Sequence, residues 1–375
     1  MKSVLLTTVF TGLNYGSSLQ AYASKMLLSS MGLKCDIVAR KSLMRNRDIR
    51  ISKFLILLIR PFLIRGKHGK KSLATYHGSY SKKMIGNSAL RFENFTKTYL
   101  NPNYLSWNEL KRLANESVAC FAGSDQIWNS SALYVNPLYY LRFAPISKRI
   151  ALAPSFGRDF VAEYNRKKIG KWISEFSYLS VRESSGISLI KKISGRDAVQ
   201  LIDPTLMIDA QMWSTSLGLE IKTDNYILAY FLDYPSITAL SALKEIKQNM
   251  KCKVIGIPYL FDDMTYCDYV VPAGPIDFLN LIKNAKCVIT DSFHGTAFSI
   301  NFHIPFYVFA RAYGSASSQN SRLISILKMM NMMHRFEAKS VFSELNNLDF
   351  EYSEKQLNAE RIKAKEYIRS SLGMA

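Results

Sequence analysis

The sequence predicts an α/β protein built from two Rossmann-like domains. Short, continuous apolar runs recur at residues 4–10, 35–38, 117–123, 149–154, 178–183 and 199–205, and again at 225–232, 252–258, 268–274, 287–292 and 304–310. Helical periodicity occupies residues 16–31, 90–99, 237–250 and 275–286 between them. A length of 375 residues suits two domains of about 150 each. Unbroken apolar strands alternating with helices imply parallel sheets covered on both faces. The pattern restarts near residue 225, which divides the chain into a first domain over 1–215, a second over 216–340 and a helical tail over 341–375. A hinge is expected near 206–224, with the LIDPT run at 201–205 closing the first half.

Composition narrows the classes. With 48% apolar and 21% charged residues the chain can bury real cores, which excludes disorder as its main state. Its 5 cysteines are scattered without a CxxC pair, which excludes a disulfide framework and a sequence-evident zinc site. Neither a metal nor a bound cofactor is expected, and a reducing, cytoplasmic setting is. The opening apolar run meets Thr11-Gly12-Leu13-Asn14 without a small-residue cleavage site, so no signal peptide is expected. The most apolar stretch, 54–64, is broken by Arg60 and Pro61 and is too short to span a bilayer.

The net charge of +20 is unevenly spread. Between Arg40 and Lys83 there are thirteen Lys or Arg and one acid, Asp48, giving +12. This stretch encloses FLILLIRPFLI, and apolar side chains within a cationic rim suit an anionic membrane surface, peripheral to its inner face. The alternative is a buried helix with a solvated flank. Nucleic acid is not an expected partner, since no RNP, zinc-finger or KH pattern accompanies the charge.

Ligands of open parallel sheets bind beyond the carboxyl ends of the strands. After the first strand, Asn14, Tyr15, Gly16 and Gln20 open a helix whose N–H groups face an anion or a sugar hydroxyl. After 117–122, the turn Gly123-Ser124-Asp125-Gln126-Ile127-Trp128-Asn129 is richer than turn chemistry needs. Ser124, Asp125, Gln126 and Trp128 together offer a sugar site its hydrogen bonds and flat face, although Trp128 alternatively plugs the core. Arg182 stands at a strand end, where its planar fork suits phosphate or carboxylate. The alternative is a salt bridge with Glu183 or an aspartate. The sharpest element is Thr290-Asp291-Ser292-Phe293-His294-Gly295: an imidazole at a helix start can move a proton near neutral pH. Gly295 and the following N–H groups favour an anion. Arg311 or Arg322 could complete an anion pocket, Arg322 alternatively being an exposed neighbour of an N-cap. His68, His77, His303 and His334 have no comparable setting.

Seven segments taken together, NYGSSLQAY, AGSDQIWN, APSFGR, SVRESSG, LIDPTL, TDSFHGTAFSI and NSRLISIL, resemble the polysaccharide pyruvyl transferase family in order from residue 11 to about 330. The resemblance implies a GT-B-like fold with the active site in the interdomain cleft. It also implies transfer of pyruvate from phosphoenolpyruvate to a sugar as a cyclic ketal, in capsular or exopolysaccharide biosynthesis. By position, His294 matches the family's catalytic histidine and Arg182 an arginine that binds phosphoenolpyruvate. Asp291 or Asp125 would assist His294. Some branches carry an arginine where this chain has Ser292, which leaves Arg311 or Arg322 to replace that donor contact. If the acceptor is an oligosaccharide on a polyprenyl-diphosphate carrier, the basic stretch would hold the enzyme at the membrane. Two other readings compete. One is a GT-B glycosyltransferase using a nucleotide-sugar donor, with Asp268 or Glu337 as its ribose acid. The other is a polymer- or membrane-binding protein on a disabled fold.

Overall fold

The computed structural model describes residues 2–41, 88–130, 135–222, 224–258, 264–311, 317–339 and 341–374. From residue 42 on, the basic stretch and its expected membrane role lie outside the described residues. Five parallel strands form the first sheet: β1 (Lys2–Thr7), β2 (Leu33–Arg40), β3 (Asn103–Leu105), β4 (Ala119–Ala122) and β5 (Arg149–Ala151), in the order β3-β2-β1-β4-β5. A bridge from Ile150 to Tyr178 leads on to the pair β6 (Ser180–Val181) and β7 (Val199–Gln200). The second sheet contains β8 (Tyr226–Tyr230), β9 (Lys253–Gly256), β10 (Tyr269–Val270), β11 (Cys287–Thr290) and β12 (Phe306–Val308). Its order, β10-β9-β8-β11-β12, repeats that of the first. The two Rossmann-like halves are therefore topological copies, in the GT-B-like arrangement expected from sequence.

Among the described residues the helices are α1 (Tyr15–Ser30), α2 (Ser88–Phe95), α3 (Trp107–Glu116), α4 (Glu163–Ser174), α5 (Ser184–Ser194), α6 (Pro204–Met207), α7 (Ala210–Leu217), α8 (Ile237–Met250), α9 (Pro275–Lys283), α10 (Phe293–Asn301), α11 (Ser317–Met329) and α12 (Phe350–Ser371). Local chemistry sets their starts. Asn14 caps α1 by accepting from the Ser17 N–H at 3.1 Å, and Ser106 with Glu109 forms a capping box on α3. None of these helices is long and apolar enough to cross a membrane.

The halves share one core. Tyr15 of α1 stacks on Phe278 of α9 at 4.6 Å and donates its hydroxyl to the Ala273 carbonyl at 2.9 Å. Trp213 of α7 lies between Tyr22 and Phe298, at 5.7 and 5.1 Å. The segment expected to begin the hinge lies in the middle of this core: Leu201, Leu206, Met207 and Ile208 are buried. The apolar LIDPTLMI run is better stabilised by burial between α1, α10 and α12 than by solvent. The tail also returns. Leu357, Ala364 and Ile368 of α12 are buried, and the Tyr367 hydroxyl donates to the Ala151 carbonyl at 2.8 Å.

Candidate functional site

The switch points of the two sheets, between β1 and β4 and between β8 and β11, face each other. From β1 the chain turns through Gly12 and Leu13, at φ 93 and 53°, into α1. Gly16 in its first turn lies directly under the His294 ring: a Cβ built there would sit 2.0 Å from Nδ1 and 2.1 Å from Cε1. Only glycine lets the first half's helix touch the second half's imidazole. Beside it, after β4, Asp125 holds the left-handed conformation at φ 63° and accepts from the Ser17 hydroxyl at 2.5 Å.

Arg182, following β6, is buried and makes an ion pair with Asp203. Its Nε is 3.9 Å from the Glu183 carboxylate, whose other oxygen accepts from the Phe156 N–H at 2.7 Å and the Ser155 hydroxyl at 3.0 Å. The salt-bridge alternative for Arg182 is therefore realised, chiefly with Asp203. Arg322 of α11 is also buried. Both guanidiniums lie over Phe293, at 5.0 and 5.9 Å from the ring centroid. The His294 Nε2 stands 3.9 Å from Asp203 Oδ2. Five buried polar atoms here have no hydrogen-bond partner: Arg182 Nε and Nη2, Arg322 Nε, His294 Nε2 and Glu183 Oε2. Buried donors are nearly always satisfied, so an orphaned cluster marks a place for a ligand or water. A cavity of about 30 Å³ lined by Arg182, Asp203, Phe293 and Arg322 has room for roughly one water. A larger occupant requires these walls to part.

Burial shifts the charges differently. It pushes the Arg322 guanidinium down to about 10, reinforced by repulsion from Arg182 and only partly offset by Asp125 and Glu183. Burial acts on Arg182 the same way, but Asp203, Glu183 and Asp125 outweigh it and its affinity for a proton rises. Asp203 is desolvated too, yet Arg182 and then His294 hold it below the usual carboxylate range. Burial lowers His294 below its ordinary value, against the pull of Asp203 and Asp125. The free site thus presents a neutral imidazole, one arginine paired with Asp203 and one arginine whose burial is only partly offset by carboxylates.

Several residues expected at the site serve the fold instead. Trp128 is fully buried, donates its indole N–H to the Tyr139 carbonyl at 3.2 Å and stacks on Tyr140, so it plugs the core rather than offering a face to sugar. Tyr15 and Gln20 are buried as well; Gln20 donates to the Val9 carbonyl at 2.7 Å. Ser124 donates to Ala153 at 2.7 Å. Asp291 is turned away from His294, accepting the Leu232 and Asp233 N–H groups at 2.7 and 3.0 Å and pairing with Arg311 at 3.4 Å. That pair engages the Arg311 charge, leaving Arg322 as the cation nearer the imidazole. Ser292 caps α10 by accepting from the Gly295 N–H at 3.3 Å, so that N–H is not offered to an anion. Asn14 and Gln126 remain partly exposed at the rim, with Gln126 packed against Gly157 and bonded to Asn129 at 3.0 Å. His294, Asp125, Arg182 and Arg322 are brought together. Sequence reasoning missed Asp203. The available signal was an aspartate beyond the β7 run followed by proline, the signature of a capped helix start.

Two Rossmann-like halves of matching strand order, meeting where Gly16 underlies the His294 ring and with two buried guanidiniums over the neighbouring Phe293, define a GT-B-like α/β protein. The family model "Polysaccharide pyruvyl transferase" matches residues 14–313, and the chain belongs to that family. No curated protein matches the chain by sequence. Similar solved structures include a putative UDP-N-acetylglucosamine 2-epimerase from Listeria monocytogenes, at 11% identity and TM-score 0.47, covering 100% of this chain and 91% of that one. MnaA of S. aureus, solved with UDP, has 10% identity and TM-score 0.46, with 97% of each chain covered. TcCGT1 in complex with UDP has 9% identity and TM-score 0.41, covering 99% and 94%.

Proposed function

We propose that this enzyme transfers pyruvate from phosphoenolpyruvate to a polysaccharide sugar, closing a cyclic ketal across two hydroxyls. The observation that carries the reading is the orphaned, buried cation set: Arg322 without a carboxylate bonded to it, and Arg182 with two unused N–H directions, around His294. A small phosphate ester with a carboxylate satisfies such donors at several points. Family membership supplies the reaction type.

The donor binds between Arg182 and Arg322, and its negative charge favours a protonated His294. His294 then delivers that proton to the donor's methylene carbon, which becomes the ketal methyl group, and C2 becomes electrophilic. The first acceptor hydroxyl adds to C2 while the Asp125–Ser17 pair takes its proton. The C2–O bond to phosphate breaks, and phosphate leaves with that proton. The second hydroxyl closes the ring on C2 and returns its proton to His294. Two hydroxyl protons are thus accounted for, and no redox partner is needed.

A nucleotide-sugar reading has less support. Asp268 already bonds the Val254 N–H at 2.8 Å and Lys247, and Glu337 bonds the Ala310 N–H at 2.6 Å. Calorimetric titration with phosphoenolpyruvate and with UDP-sugars separates the two. Saturable phosphoenolpyruvate binding that is lost in Arg322→Ala supports the proposal, whereas binding of UDP-sugar alone overturns it. For a lipid-linked acceptor, the basic stretch would act at the anionic membrane. Salt-sensitive cosedimentation with anionic liposomes is expected, and full recovery in the supernatant at low salt would remove that part.

A further inference from the structure

We infer that Asp203 is a positioning residue, its Oδ2 acting as the shared counter-ion of Arg182 and the His294 imidazole. This deepens the transfer reading above and, as a statement about the reaction, rests on it. Asp203 belongs to neither half's switch-point turns. It lies on the connecting segment that both halves bury, with its side chain fully enclosed.

Its two oxygens are divided. Oδ1 is fixed within the α6 start, accepting from the Thr205 N–H at 3.0 Å and the Thr205 hydroxyl at 2.8 Å. The carboxylate therefore cannot rotate, and Oδ2 is held toward Arg182 on one side and His294 Nε2 on the other, the latter at 3.9 Å. The frame behind it is rigid. The Thr205 carbonyl accepts from the Trp213 indole at 3.1 Å and from Asn301 Nδ2 at 3.0 Å, and Asn301 is the last residue of the His294 helix. Arg361 of α12 bonds both the Leu206 carbonyl and Asn301 Oδ1 at 3.0 Å. Asp203 and His294 thus ride on one clamped unit, to which the tail helix contributes.

At 3.9 Å, Oδ2 makes no hydrogen bond to the imidazole, yet it is close enough to stabilise an imidazolium. His294 faces four charged groups: Asp203 from the connection, Asp125 from the β4 turn, Arg182 from the β6 end and Arg322 from α11. The carboxylates favour its charged form and the arginines oppose it. Arg182 has the additional effect of engaging Asp203. Removing Asp203 and removing Arg182 should therefore move His294 in opposite directions.

The test is NMR titration of the His294 ring in the full chain without substrate, alongside the pH dependence of kcat/KM. Asp203→Asn keeps size and the Thr205 bonds; it should move the His294 midpoint to lower pH, and the alkaline limb of the rate profile with it. Arg182→Gln should move the midpoint to higher pH and needs no activity to be read. Unchanged midpoints, or shifts of the same sign in both variants, overturn the inference, as does an Asp203→Asn rate loss that leaves the limb in place. If the midpoints move as stated but phosphoenolpyruvate neither binds nor reacts, the donor reading fails while the counter-ion role stands.

Discussion

Arg322 holds its charge at a cost that the structure lets one gauge. Burial, with repulsion from Arg182, brings its guanidinium down from the ordinary arginine range to about 10. At about 1.4 kcal/mol per pKa unit, the folded protein gives up on the order of 3 kcal/mol to keep this group ionised. The sign follows from linkage. For a base with a lowered folded pKa the penalty is complete below about 10 and is relieved only as pH rises from there toward the ordinary arginine range. At neutral pH it is present in full. Replacing Arg322 by methionine keeps a flexible apolar stem against Phe293 and removes the charge. The unliganded variant should unfold about 1–3 kcal/mol harder in urea at pH 7, since burying an unpaired charge is what it no longer does. Phosphoenolpyruvate should stabilise the wild type and leave the variant unmoved. An Arg322→Met protein less stable than wild type without ligand would refute the view of Arg322 as a cation whose burial is only partly offset. Equal stabilisation of both proteins by phosphoenolpyruvate would refute its assignment to the donor.

The remaining expectations are each tied to one contact. Gly16→Ala places a methyl where the His294 ring lies, so kcat should fall on the order of 100-fold with the far-ultraviolet circular dichroism unchanged; near wild-type turnover would separate His294 from the chemistry. Asp291 is raised to about 6 by burial, partly offset by Arg311, so its folded carboxyl binds a proton more tightly than the unfolded one. Wild type should therefore lose stability relative to Asp291→Asn, on the order of 3 kcal/mol, as pH rises from about 4 to 6, with no further change above. A pH-independent difference in urea unfolding contradicts this. Trp128→Ala should cost about 3–5 kcal/mol of stability, whereas Trp128→Phe should leave the acceptor KM unchanged. A raised KM with intact stability would return Trp128 to the sugar site.

The fold was readable because parallel strands buried on both faces need unbroken apolar runs, and VLLT, ACFA, YILAY and CVIT are such runs. The rule that ligands lie beyond strand ends singled out His294, Asp125 and Arg182, which the fold brings together. It could not tell which neighbouring polar side chains point inward. Trp128, Gln20 and Ser124 share their turns' composition with the residues gathered around His294, yet backbone carbonyls elsewhere in the first half claim their donors. Asp291 has the same fate, its partners being the N–H groups that follow β8, some 60 residues away in sequence. Asp203 was hidden for the opposite reason. In sequence it terminates an apolar run and caps a short helix, and only the packing of the connection between both halves brings it to Arg182 and His294. Gly16 likewise carries no sign in sequence that an imidazole lies against it.

If His294 delivers the proton as proposed, the carbon skeleton of phosphoenolpyruvate ends on the sugar as a ketal. This is tested most directly by incubating the enzyme with phosphoenolpyruvate labelled with carbon-13 at C2 and a panel of glycoside acceptors, then reading the product by NMR and mass spectrometry. One phosphate should be released per labelled carbon incorporated, with that carbon appearing as a quaternary centre bonded to two sugar oxygens, and none of this with His294→Ala. Label recovered only as free pyruvate, or ketal formed at an undiminished rate by the His294→Ala protein, would contradict it.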